Sequence, residues 1–122
     1  MSNPLPCQTQ SMPSDKSRRA LVAIEYHISL VHDFTRDMDL QTFSDDVRTL
    51  YAVTRCLEII SEASRKLSAE LKARHPNVPW SQIAGAGNVY RHDYEDVNAS
   101  AIWKTATAEI ISLERAVSAE LR

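Results

Sequence analysis

Val47-Arg48-Thr49-Leu50-Tyr51-Ala52-Val53-Thr54-Arg55-Cys56-Leu57-Glu58-Ile59-Ile60-Ser61-Glu62-Ala63-Ser64 places Val47, Leu50, Tyr51, Thr54, Leu57, Ile60, Ser61 and Ser64 three or four residues apart. That spacing gathers them on one face of an α-helix, whereas a strand would need strict alternation. The period continues through Leu67 and Leu71, so the pattern predicts one long helix. Ser44 would open it, with Asp45 and Asp46 at the positive end of the helix dipole. It would end near Arg74, because His75 precedes Pro76 and a residue before proline is pushed out of helical geometry.

To the N-terminal side, Leu21, Ile24, Ile28, Val31 and Phe34 repeat in the same way, predicting a first helix from Lys16 capped by Ser14 or Asp15. Before it, Pro4, Pro6 and Pro13 stand among Ser, Gln and Thr with almost nothing to bury, so residues 1–15 read as a disordered tail. To the C-terminal side, His75-Pro76-Asn77-Val78-Pro79 is a rigid connector, with Pro79 as the first residue of a third helix containing Trp80, Ile83 and Ala84. Asn98 would cap a last helix carrying Ile102, Trp103, Ala106, Ile110, Leu113, Val117 and Leu121. No segment alternates as a strand does. The expected fold is therefore all-α, an antiparallel bundle of four to five helices over residues 16–122.

The chain has 122 residues, 43% of them hydrophobic, enough for one domain with a real core. Its formal net charge of -2 excludes a broadly basic protein that coats nucleic acid or a polybasic membrane anchor, so any RNA contact must be local. There is no apolar run of membrane-spanning length and no apolar core of a signal peptide. Cys7 and Cys56 are isolated thiols without a pairing pattern, and a reducing cytoplasm is expected. His27, His32 and His75 are scattered without metal-ligand spacing, and Gly85-Ala86-Gly87 matches no nucleotide-binding loop. Neither metal nor cofactor is expected.

The chemistry-bearing residues concentrate in Gly85-Ala86-Gly87-Asn88-Val89-Tyr90-Arg91-His92-Asp93-Tyr94, which also holds both glycines of the chain. Helical glycine is roughly 1 kcal/mol worse than alanine, so two within three residues imply close approach of a packed helix or a ligand. His92, near the expected C-terminal end of the third helix, has its imidazolium favoured by the dipole and suits a proton-transfer role. Arg91 offers a planar fork for phosphate, but helical neighbours point about 100° apart, so Arg91 and His92 converge only if the helix ends by Tyr90 or Arg91. Tyr94 shares a face with His92 in extended backbone, and Asp93 can neutralise Arg91. Asn88 belongs to the same cluster. Glu62 is either a solvated charge or a carboxylate that orients an arginine or histidine.

Three segments carry a resemblance: Asp46-Val47 with Thr54 to Ser64, Val78-Pro79-Trp80-Ser81-Gln82-Ile83-Ala84-Gly85, and Asn88 to Val97. In order and gaps they are similar to the HepT-like family of the HEPN superfamily, over about Arg18 to Val117. The resemblance implies a dimerising helical bundle that acts as a metal-independent RNA-cleaving toxin. It also implies a nucleotidyltransferase antitoxin of the MNT type as partner. The family site is an Arg, four to six residues, a His, one residue and a Tyr, and the antitoxin adenylylates that Tyr. His92 and Tyr94 match. The arginine positions fall on Gly85, Ala86 and Gly87, all uncharged, leaving Arg91 as the nearest cation and Arg65 or Lys104 next in line. A catalytically degenerate partner of a nucleotidyltransferase is the alternative reading, and a helical scaffold without chemistry is a third.

Overall fold

The computed structural model describes residues 13–92 and 98–122, the side chains of residues 89–92 excepted. Within them the fold is helical throughout, as the periodicity predicts. Most of the expected tail, residues 1–12, lies outside the described residues. Helix α1 spans Asp15–Thr35, with Ser14 as its cap: the Ser17 N–H donates to Ser14 Oγ at 3.1 Å, so Asp15 is the first helical residue rather than the end of a tail. Leu21, Ile24, Ile28 and Val31 are buried on its inner face. Phe34, expected to join them, is exposed, and the adjacent Thr35 is buried instead, its hydroxyl donating to the Val31 carbonyl at 2.8 Å.

The chain reverses through Asp37, in left-handed conformation at φ 62°, into a short helix α2, Leu40–Asp45, that the sequence reading misses. Asp39 caps it reciprocally with Thr42. Ser44 therefore lies inside α2. The cap of α3, Val47–Ser64, is Asp46, whose carboxylate accepts from the Thr49 N–H at 3.0 Å and the Thr49 hydroxyl at 2.8 Å. Those two bonds, the backbone one first, hold the Asp46 carboxyl below its usual range.

The predicted long second helix is broken. Arg65, Lys66 and Leu67 donate N–H to the carbonyls of Glu62, Ala63 and Ser64, three residues back, which tightens the backbone into a turn. Ser68 then caps a new short helix α4, Ala69–Ala73, while its own N–H is held by Ser17 Oγ of α1 at 3.2 Å. The break keeps Leu67 and Leu71 buried although the rod has changed direction. Helix α5 spans Trp80–His92. Pro79 is not its first helical residue but sits one position earlier, its carbonyl accepting the Ile83 N–H at 3.0 Å. The Trp80 indole N–H meets the Lys72 and His75 carbonyls at 3.1 and 3.0 Å, satisfying groups that α4 leaves open.

The last helix begins as expected at Asn98, whose Oδ1 accepts the Ala101 N–H at 3.2 Å. It forms one rod of α6, Ala99–Lys104, a widened π turn at Thr105–Glu109, and α7, Ile110–Leu121. Helix α3 packs between α1 and α5, α7 lies against α1, and α2 closes the end of the bundle against α6 through Phe43 and Trp103, ring centroids 5.1 Å apart. Val47 and Tyr51, assigned to the core by spacing, are about 60% exposed, and Val53 and Cys56 are buried instead. Burial holds the Cys56 thiol above its usual range.

One ion pair ties α7 to the end of α4. Glu120, its side chain only 8% exposed, accepts from Arg74 Nε and Nη2 at 3.0 and 2.8 Å and lies 2.6 Å from His75 Nε2. The Arg74 bond, followed by His75, holds the Glu120 carboxyl below the usual carboxylate range. A folded-state value below the unfolded one means the stabilisation is complete above the unfolded value, about 4.3, and is lost as pH falls. Glu120→Gln is expected to lower unfolding free energy by about 1–3 kcal/mol at pH 7, with the deficit shrinking below pH about 4. Urea melts at pH 7, 5 and 3 measure this; a deficit independent of pH would contradict it.

Candidate functional site

Helix α5 carries the candidate residues, and α3 fixes its depth. Gly87 is buried against Ser61: a Cβ at position 87 would lie 2.8 Å from Ser61 Oγ and 3.2 Å from Ser61 Cβ. The Gly87 N–H donates to Ser61 Oγ at 2.9 Å, and that hydroxyl donates in turn to the Ala84 carbonyl at 3.1 Å. The close approach at Gly87 is thus made by a packed helix of the same chain. At Gly85 the situation is the opposite, with nothing within 4 Å of where a Cβ would stand.

One turn before Ser68, Arg65 reaches across to α5, and its Nε and Nη2 both donate to the Ala84 carbonyl, at 2.9 and 2.7 Å. Three donors from α3 therefore converge on one carbonyl of α5. Sequence reading places Ser61 on an apolar stripe and Arg65 only as a reserve cation. Neither contact has a local signal, since the partners lie 23 and 19 residues apart.

Helix α5 runs through His92. The early end at Tyr90 or Arg91 that would let Arg91 and His92 converge within one chain is not found. By helical register position 91 follows Ala84 and Gly87 on the side toward α3, and position 92 continues the stripe of Ser81, Gly85 and Asn88. All three residues of that stripe are exposed. Asp93 and Tyr94 lie outside the described residues. Glu62 is exposed and forms no ion pair among the described residues, the arrangement of a solvated charge.

On the other flank of α5 lies a groove of about 360 Å³, lined by Leu57, Ile60, Ile83, Ala86, Ile110 and Leu113. The π turn forms its far wall, with Thr105 and Glu109 bonded to each other at 2.9 Å. Lys104, the other reserve cation, is 3.8 Å from Glu109. His32 and His75 pair with Glu114 and Glu120, and His27 Nδ1 bonds the Ala23 carbonyl at 2.8 Å, so these three histidines serve the scaffold. Among the described residues no group of three His, Cys, Asp or Glu is arranged to hold a metal, and no helix is long and apolar enough to cross a membrane.

Comparison with known proteins gives a consistent picture. The family model described as "Ribonuclease HepT-like" matches residues 24–120. The chain is 32% identical over 104 residues to "Putative RNase MJ0125" of Methanocaldococcus jannaschii, covering 85% of this chain and 90% of the relative. It is 38% identical over 87 residues to "Probable ribonuclease HepT" of Thermococcus cleftensis, covering 71% and 79%. It is also 38% identical over 82 residues to "Putative RNase TTE0752" of Caldanaerobacter subterraneus subsp. tengcongensis, covering 67% and 73%. No solved structure gives a significant match.

Proposed function

The chain belongs to the ribonuclease HepT-like family, and from that premise we propose that it is a metal-independent endoribonuclease, the toxin of a cytoplasmic toxin–antitoxin pair. The observation that carries the reading is the exposed stripe of α5, Ser81–Gly85–Asn88, on whose register position 92 falls. In the reaction a base takes the ribose 2′-hydroxyl proton and the 2′-oxygen attacks the adjacent phosphorus. The bond from phosphorus to the 5′-oxygen breaks as an acid protonates that oxygen, leaving a 2′,3′-cyclic phosphate and a 5′-hydroxyl. His92 fills one proton-transfer role, and a second copy of His92 across a two-fold dimer fills the other. Incubating the purified protein with single-stranded RNA in excess chelator tests this: cyclic-phosphate ends are expected, and intact RNA sinks it.

A homodimer is supported by Tyr26, Val47 and Tyr51, large apolar side chains left about 60% exposed on α1 and α3. Light scattering at micromolar concentration is expected to give twice the 13.7 kDa chain mass. A clean monomer counts against a site shared between two copies.

Tyr94 is the proposed target of an MNT-type nucleotidyltransferase. A nucleotidyl group on its phenol would bring negative charge and bulk to the RNA path and repel the substrate. Co-expression with an active enzyme of that type is expected to add one or more nucleotidyl units to the intact mass, and Tyr94→Phe to prevent it. An unmodified wild-type chain under those conditions would count against the assignment. The absence of an arginine at positions 85–87 favours a second reading, a non-catalytic partner of the nucleotidyltransferase, which predicts the same adduct but no RNA cleavage.

A further inference from the structure

Cleavage at a phosphate calls for a fixed cation, and among the described positions of the α5 stripe, Ser81, Gly85 and Asn88, there is none. The chain places one beside that stripe, at the Ala84 carbonyl, from another helix. Arg65 stands at the end of α3 in helical conformation, one turn beyond Ser61, so its side chain leaves the same face of α3 and reaches α5. Two of its five N–H groups are spent on the Ala84 carbonyl. That contact fixes the guanidinium without neutralising it, since the acceptor is a peptide oxygen and Arg65 forms no salt bridge among the described residues. The side chain is exposed, and the backbone next to its anchor is Gly85, where nothing from the chain fills the space a side chain would take. Its remaining donors can therefore reach a ligand lying over Gly85.

The spacing is suitable. Position 92 is eight residues beyond Ala84, about 12 Å along the axis at 1.5 Å per residue. The Ala84 carbonyl points toward position 92, as every helix carbonyl points to the C-terminus, so a guanidinium bound to it stands nearer than that. Arg91, the cation nearest in sequence, has no described side chain, whereas the Arg65 guanidinium is held at a stated carbonyl. Lys104 is on a different helix beside Glu109.

We propose that Arg65, held at the Ala84 carbonyl beside the open Gly85, is the phosphate-binding cation of the His92 site. The proposal rests on reading that site as an RNA site. It restores from α3 the charge that positions 85–87 of α5 lack. The bidentate anchor fixes the guanidinium before substrate arrives, which is the condition for a cation to act on developing charge without reorganisation.

The test uses the full chain with two probes, a cleavable single-stranded RNA and the same oligonucleotide with 2′-O-methyl groups throughout, which can bind but cannot be cut. Arg65→Ala is expected to lower kcat/KM at least about 100-fold, as for loss of one pre-organised charge stabiliser. It is also expected to weaken binding of the 2′-O-methyl strand and to reduce by about one the slope of log affinity against log salt, the signature of one lost phosphate contact. Arg65→Lys should restore the salt slope but little of the cleavage, because the planar fork is gone. Arg65→Gln keeps a donor for the Ala84 carbonyl without the charge. Its melting temperature should match wild type while its binding falls, which separates a phosphate contact from a helix clamp. Wild-type binding and cleavage in Arg65→Gln would overturn the proposal, as would failure of the wild type to bind the 2′-O-methyl strand. Arg65-dependent binding by a wild type that cuts no RNA would leave the phosphate contact standing and remove the ribonuclease reading.

Discussion

His92→Ala is expected to reduce RNA cleavage by about 100- to 10,000-fold, the range that one positioned acid or base contributes. The loss should fall mainly on kcat, with affinity for a non-cleavable strand changed little, because proton transfer is needed in the transition state and not for binding. Position 92 closes α5 on the exposed stripe of Ser81, Gly85 and Asn88, so truncation there should remove chemistry and leave the core intact. A dimer would supply two copies of the histidine, one to act as base and one as acid. Single-turnover rates and melting temperatures for His92→Ala and wild type settle the matter. Equal rates would remove His92 from the mechanism and the ribonuclease reading with it.

The two glycines of α5 are expected to respond in opposite directions. Gly85→Ala should stabilise the fold by about 0.5–1 kcal/mol, since it reduces backbone freedom in the unfolded chain and meets open space in the folded one. Gly87→Ala should destabilise by about 1–3 kcal/mol despite the same gain in helix propensity. Its new methyl would stand 2.8 Å from Ser61 Oγ, and Ser61 cannot simply swing aside: it is buried, and its hydroxyl serves both the Gly87 N–H and the Ala84 carbonyl. Ser61→Gly in the Gly87→Ala background should recover much of the loss, a coupling that a double-mutant cycle in urea measures directly. Additive effects would show that the two positions do not compete for the same space. The contact also accounts for the uncharged residue at 87: while Ser61 fills that space, an arginine at 87 has no place for its first carbon. Gly87→Arg alone should therefore unfold or distort α5, and Ser61→Gly should be needed before it is tolerated.

How much of this was legible in the sequence follows from the range of each interaction. The all-α class and the inner faces of α1 and the last rod were readable, because burial of one helical face writes a three-to-four-residue period into the chain. The caps Ser14 and Asn98 were readable too, since an N-cap bonds a backbone N–H only two or three residues ahead. The family segments single out His92 and Tyr94 as candidates. Less was legible where two local solutions competed. Ser44 and Asp46 are both good caps, and with Asp39 and Thr42 capping α2, Ser44 is taken into that helix and Asp46 is left to cap α3. The apolar period continued unbroken through Leu67, so the turn at 65–67 left no mark in the pattern. The residue that follows the turn, Ser68, is held by Ser17, 51 residues earlier, a contact no local pattern records.

The sequence by itself determined that this chain is helical and where most of its buried faces lie, and it gathered the candidate residues at the end of the third long helix. Only the tertiary structure decided what the two glycines are for and where a cation stands. Gly85 and Gly87 are the same residue in the same helix, told apart only by whether Ser61 of α3 lies beneath them. Arg65 reads in sequence as one more charge at a helix end, and becomes a fixed one only when α3 and α5 pack closely enough for it to reach the Ala84 carbonyl. A period records which face of a helix is buried, but it carries no information about which residue of another helix will meet it.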